Sequence, residues 1–89
     1  MKSIIQTEKV CYFANDKCDG WLEEHHIFGG ANRKNSEKYG LKVHLCKRHH
    51  DKVHEGGELM DMLHKVGQVK FEKTHSHDEF MKVFMKNYL

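Results

Sequence analysis

Residues 46–54 of this chain read Cys46-Lys47-Arg48-His49-His50-Asp51-Lys52-Val53-His54. On a helix, with Cys46 as the origin and about 100° per residue, His49 falls near −60°, His50 near +40° and His54 near +80°. Cys46 and His49 therefore share one side as an i, i+3 pair, and His50 and His54 share another as an i, i+4 pair. His-x-x-x-His sends both imidazoles to one side of a helix and makes a two-ligand platform for a metal. The competing reading is two exposed histidines that fall four apart in a chain holding nine. It loses ground to a second cluster upstream, Glu24-His25-His26-Ile27-Phe28, which runs into Gly29-Gly30.

The rest of the composition narrows the setting. The chain has 89 residues, 38% hydrophobic and 31% charged, with a mean hydropathy of −0.79. That length predicts a single domain over 1–89 with a modest core, and such a domain often needs a metal or a disulfide as a staple. No apolar run approaches the roughly 18 residues of a membrane span. The opening residues carry Glu8 and Lys9 where a signal peptide has its apolar core. Three cysteines, an odd number, beside nine histidines point to metal binding in a reducing compartment rather than to a disulfide framework.

Net charge is +2 overall but unevenly placed. Residues 1–30 carry −2, residues 31–54 carry +5 and residues 55–89 carry −1. The positive middle holds Arg33, Lys34, Lys38, Lys42, Lys47, Arg48 and Lys52 together with four histidines. Basic side chains interleaved with metal-type ligands suit a phosphodiester-binding site. On charge alone, a solvated surface is the more usual reading.

The spacing predicts a small α+β fold. Val10 to Phe13 is read as a short strand or knuckle, and Trp21 to Phe28 as a short strand broken by Gly29-Gly30. Ala31 to Gly40 is a polar, basic loop with one helical turn at Ser36 to Tyr39. Leu41 to Leu45 alternates apolar and polar residues, a second strand. Lys47 to Glu55 is a helix stopped by Gly56-Gly57. Leu59, Met62, Leu63 and Val66 predict an amphipathic helix from Glu58 to about Val66 or past Gly67. Ser76-x-x-Glu79 is a capping box opening a terminal helix with Phe80, Val83, Phe84 and Tyr88 on one face. A metal-binding part over about 10–56 and a helical part over 57–89 follow from this division. Trp21, Tyr12 and Phe13 are read as core, Tyr39 as packing under the loop, and His64, His75 and His77 as surface residues. His44 is read as exposed or packed on its strand.

Cys46 and His49 need two more ligands for a closed zinc site. The remaining cysteines are Cys11 and Cys18, separated by the six residues Tyr12 to Lys17, and position 14 of the usual Cys-x-x-Cys knuckle is Ala14. Either a longer loop returns both thiols to one ion or both are ordinary buried thiols. The first would turn zinc-binding free energy into folding free energy.

Glu24-His25-His26-Ile27-Phe28-Gly29-Gly30, a basic loop, and then Leu45-Cys46-x-x-His49-His50-x-x-x-His54 resembles the HNH endonuclease superfamily, also called ββα-metal or His-Me finger. It looks closest to small phage and prophage members, and its helix ligands are similar to those of colicin-type DNases. The likeness covers about Cys11 to His54. It implies two antiparallel strands and a helix gripping one divalent ion (Mg²⁺, Mn²⁺, Ni²⁺ or Zn²⁺), with a treble-clef zinc knuckle behind and further C-terminal helices. It implies DNA phosphodiester cleavage, weakly sequence-specific, in the cytoplasm of a bacterial host, with a protein partner in phage recombination or packaging as an option.

Residue by residue, the resemblance makes His26 the general base and His25, His50 and His54 the ligands of the divalent ion. Cys11, Cys18, Cys46 and His49 become the zinc ligands. Arg33, Lys34 and Lys38 face phosphates, with Lys47, Arg48 and Lys52 as weaker candidates. The chain departs from the family at its central Asn, a place held here by Leu41, with Asn32 and Asn35 earlier in the loop. Neighbours on a regular strand also face opposite ways, so His25 and His26 reach one site only if the strand ends or bulges there. The alternative is a non-catalytic zinc-binding treble-clef module that binds nucleic acid or a partner protein and has no need of His26. Histidine count alone favours a third reading, metal storage or sensing.

Overall fold

Leu41, Val43 and Leu45 are fully or almost fully buried, and the strand that carries the last two organises the molecule. The computed structural model describes residues 1–89. Strand β1 (Leu22–His26) pairs antiparallel with β2 (Lys42–Cys46), with Leu22 opposite Cys46 and His26 opposite Lys42. Between them a 3₁₀ turn (Gly30–Asn32) leads into α1 (Arg33–Tyr39). Helix α2 (Lys47–His54) starts where β2 stops, and α3 (Glu58–Phe71) and α4 (His77–Phe84) complete the fold. This is a small α+β fold: a hairpin, a helix on it and further C-terminal helices. No helix is long and apolar enough to cross a membrane.

Local chemistry sets the helix ends. The Cys46 thiol sits at the N-cap of α2 and accepts from the His49 N–H. Gly40 closes α1 at φ 70°, a left-handed position that glycine adopts without strain. Ser76 Oγ accepts from the Glu79 N–H at 3.0 Å and opens α4. Helix α3 runs straight through Gly67 to Phe71, the longer of the two ends that periodicity allowed. A Cβ at Gly67 would come within 3.0 Å of both Ile27 and Phe28. The glycine is there for close packing, and that packing outweighs its poor helix propensity.

One apolar cluster joins the hairpin to the helices through Ile27, Phe28, Leu41, Val43, Leu45, Val53, Leu63, Phe71, Phe80 and Phe84. Buried Gln68 donates to Glu72 and Asn87 and accepts from the Tyr88 N–H at 2.7 Å, fixing the C-terminal segment on α3. The N-terminal segment lies along the free edge of β2, with Ile4 N–H to the Gly40 carbonyl and Tyr12 N–H to the His44 carbonyl.

Several readings from sequence change here. Val10 to Phe13 forms no strand, because its backbone turns into the loop that carries Cys11. The basic loop is helical over seven residues rather than four. Trp21 is 64% exposed and outside the core. His64 stacks on Phe28 with 12° between the rings, and His75 stacks on Phe71 with 22°, so these two are packing residues. Tyr39 does pack under its helix, edge-on to Phe71.

Candidate metal centres

The loop from Cys11 to Cys18 makes two turns, Ala14 N–H to the Cys11 carbonyl and Cys18 N–H to the Asn15 carbonyl. Asn15 Oδ1 accepts from the Lys17 N–H and stiffens the second. These turns bring both thiols to the start of α2. His49 Nδ1 lies 3.5 Å from Cys11 Sγ, 3.5 Å from Cys18 Sγ and 3.1 Å from Cys46 Sγ. A tetrahedral zinc with Zn–S about 2.3 Å and Zn–N about 2.0 Å puts sulfur and nitrogen roughly 3.5 Å apart. All four ligand atoms fall within 4.8 Å of one another, and none of the cysteines is in a disulfide. The donor set and its spacing fit zinc. Burial pushes Cys46 up, but the backbone N–H groups of His49 and Asp19 and the His49 and Cys18 side chains outweigh it, leaving the thiol at about 6. A thiol so placed is ready to ligate as thiolate.

The second cluster joins the hairpin to the other face of α2. His25 on β1 and His50 and His54 on α2 bring their ligand atoms within 4.8 Å of one another. The Nε2 atoms of His50 and His54 are 3.0 Å apart. Neutral imidazoles at that separation need a shared proton or a shared cation. Two imidazoles at about 2.0–2.1 Å from one ion stand roughly 3.0–3.4 Å apart, so the pair fits a metal. Burial, then the positive charge of His50 and His54, pushes His25 down to about 4, which keeps its lone pair free at neutral pH.

Glu23 was not among the site residues found from sequence. Its Oε1 accepts from His50 Nδ1 at 2.8 Å, which turns the Nε2 lone pair of His50 toward His54. Its Oε2 accepts from the Trp21 indole at 3.0 Å. A carboxylate behind a ligand histidine fixes its tautomer and orientation. Period two along β1 puts Glu23 on the face of His25, and that signal was available in the sequence.

His26 ends β1 in regular register, so the strand terminates there without a bulge. Its Nε2 lies 2.8 Å from Glu37 Oε1. The N-terminal ammonium, His26 and Lys42 hold the Glu37 carboxyl well below the usual carboxylate range. With Nε2 donating to Glu37, Nδ1 is the basic nitrogen. Glu24, His26 and Glu37 form a third cluster of ligand-type groups, but Lys42 Nζ already supplies its cation, 2.9 Å from Glu37 and 3.5 Å from Glu24. Lys42 is therefore spent inside the protein.

A hollow of about 240 Å³ is lined by His25, His50, His54, His26, Glu24, Arg33, Gly29 and Gly30. Of the basic residues singled out from sequence, Arg33 alone lines it. Arg48 and Lys52 line a separate hollow beside the cysteine cluster, with Tyr12 and Phe13. Lys47 pairs with Asp51, and Lys34 and Lys38 are exposed on α1. Asn32 and Asn35 reach the carbonyls of Phe84 and Val83, tying α1 to α4 rather than bracing His26. Ser36 braces the segment after His26 instead: its hydroxyl accepts from the Phe28 N–H and donates to the Phe28 carbonyl. Compared with known protein families, with curated proteins and with solved structures, the chain matches none. What stands is a small α+β fold with two Cys/His clusters suited to zinc-type metal binding.

Proposed function

We propose that this chain is a zinc-stabilised nucleic-acid-binding module of treble-clef type whose histidine pocket makes it an HNH-type endonuclease acting on DNA. The observation that supports the enzymatic reading is the meeting of His25, His50 and His54 at a hollow that His26 and Arg33 also line. A divalent ion bound by those three histidines would supply positive charge at the phosphoryl and leaving oxygens. The chain's own groups do the rest. His26, with Nε2 committed to Glu37, accepts the proton of the attacking water at Nδ1. Glu23 keeps His50 in its ligating orientation. Arg33 holds the phosphate backbone without reading bases, so binding is weakly sequence-specific and salt-sensitive.

A second reading is a non-catalytic zinc-binding module for nucleic acid or a partner protein. Two observations favour it: the complete four-ligand cysteine cluster, and the basic hollow of Arg48 and Lys52 beside it. Either reading accommodates a partner in phage recombination or packaging and a place in a bacterial cytoplasm. A supercoiled-plasmid assay separates them, with Mg²⁺, Mn²⁺, Ni²⁺ or Zn²⁺ added in turn. The enzyme nicks when an ion is added, and His26→Ala loses roughly 10²–10⁴-fold in rate while still binding DNA and metal. No nicking with any ion, alongside intact zinc and DNA binding, decides for the non-catalytic module.

A further inference from the structure

The histidine hollow does not end at the metal ligands. A second hollow of about 390 Å³ shares His25, His26, Gly29, Gly30 and His54 with it and continues toward the C-terminal segment. Its far wall is of different chemistry: Phe28, Met60, His64 and Tyr88, with Asn32 at the side. Three of these are rings set against one another. His64 lies flat on buried Phe28, and Tyr88 stands 4.6 Å from His64 and 5.1 Å from Phe28 between centroids. His64 and Tyr88 are half-buried, each with part of its ring uncovered. Burial lowers the pKa of His64, so it presents a neutral ring. The wall is also fixed in place, because Gln68 holds the backbone of Tyr88.

The half that would take a phosphodiester, with Arg33 and Glu24 beside its histidines, therefore opens directly into a half whose additional lining is chiefly aromatic. The second hollow as a whole, its shared histidines included, is about 390 Å³, within the roughly 300–1,000 Å³ of small-molecule pockets. We infer that the aromatic half receives the nucleobase next to the bound phosphodiester, so that the preferred ligand is an unpaired nucleotide rather than intact duplex. This deepens the function proposed above and rests on its nucleic-acid reading. The physical reason is access: a base inside a duplex is stacked on both faces, and entering a side pocket requires it to leave the stack at an energetic cost. A base in a single strand, flap or loop bears little of that cost and gains an aromatic platform. The two glycines at the junction leave the passage clear. Gly29 is extended (φ −94°), and a Cβ there meets no atom within 4 Å.

That geometry supplies a variant that folds and still tests the idea. Fluorescence anisotropy compares a labelled single-stranded 12-mer with a hairpin duplex at equal salt and without added divalent ion. The comparison uses wild type, Gly29→Leu, which narrows the junction, and Tyr88→Leu, which keeps apolar bulk but removes the ring. Zinc content and thermal melting confirm folding of each variant. Wild type should bind the single strand at least about tenfold more tightly than the duplex, the loss that one stacked base represents. Both variants should close that gap. Equal affinity in wild type, or a gap that survives both substitutions, overturns the subsite. If plasmid is nicked but no gap exists, the nuclease reading stands and the subsite falls. If the gap exists and closes in the variants while no ion supports cleavage, the subsite stands and hydrolysis falls.

Discussion

The two Cys/His clusters share one eight-residue helix and differ in nearly everything else. The cysteine cluster draws its ligands from a loop, a strand end and the first turn of α2, and three of its four ligand residues are buried. Its four donors suffice for a closed tetrahedral zinc site, which would leave no position for anything but the ion. The histidine cluster draws on β1 and the middle and end of α2, and only His25 is buried. Three donors face a hollow, and two charged residues, Glu24 and Arg33, and two glycines share its wall. A closed set spends all its binding energy on holding chain segments together. An open set gives up part of that hold and keeps a place for a ligand.

The largest expected effect would break the cysteine side of this contrast. Cys46→Ser removes a zinc ligand and the N-cap of α2 together, and structural zinc in small domains supplies about 10 kcal/mol or more of folding free energy. Zinc content and the cooperative melting transition should vanish together. A variant with normal zinc and normal melting would erase the distinction between the sites. Next comes His54→Ala, which should abolish metal binding at the histidine pocket, read by calorimetric titration, while one zinc per chain and the melting temperature stay near wild type. Loss of both metals would show that the pocket is as structural as the knuckle.

Two smaller effects sharpen the contrast. Glu23→Gln leaves the ligands in place but weakens their brace, so affinity for the pocket metal should fall roughly 10–100-fold with the knuckle zinc unmoved. Acid should also weaken the fold through His25. Its pKa falls from 6.5 to about 4 on folding, so the unfolded chain takes up its proton first. The stabilisation is complete above pH 6.5 and is lost as pH falls from 6.5 toward 4, by on the order of 2 kcal/mol. Denaturant melts across that window should show a shallower slope in His25→Asn than in wild type, with zinc loaded at the knuckle in both.

How much of this the sequence disclosed follows from which distances are local. His50 and His54, and Cys46 and His49, are legible because helix geometry alone sets their directions. Glu23 is legible in principle, since strand alternation puts it beside His25. Glu37 is not: α1 reads as a polar loop, and the meeting of its carboxylate with His26 depends on how α1 folds back over β1. His64 and His75 were misplaced for a related reason. A histidine counts as polar in a periodicity, yet here each lies flat on a phenylalanine brought from another element or from the preceding turn. Trp21 erred the other way, an apolar residue held at the surface by its indole bond to Glu23. Gly67 left the end of α3 open between Val66 and a point past it because propensity is local, while its contact with Ile27 and Phe28 is not.

The sharing of α2 couples the two clusters. His49 reaches the cysteines from one side of the helix while His50, its neighbour, faces His25 from the other. Buried Val53 and the bond of His50 to Glu23 already set which way so short a helix turns, and an ion on the thiols would add a tie at its first turn. The expected consequence is one-way coupling: stripping zinc from the cysteines would loosen the first turn of α2 and with it the histidines, whereas an empty histidine pocket would leave the cysteine side untouched.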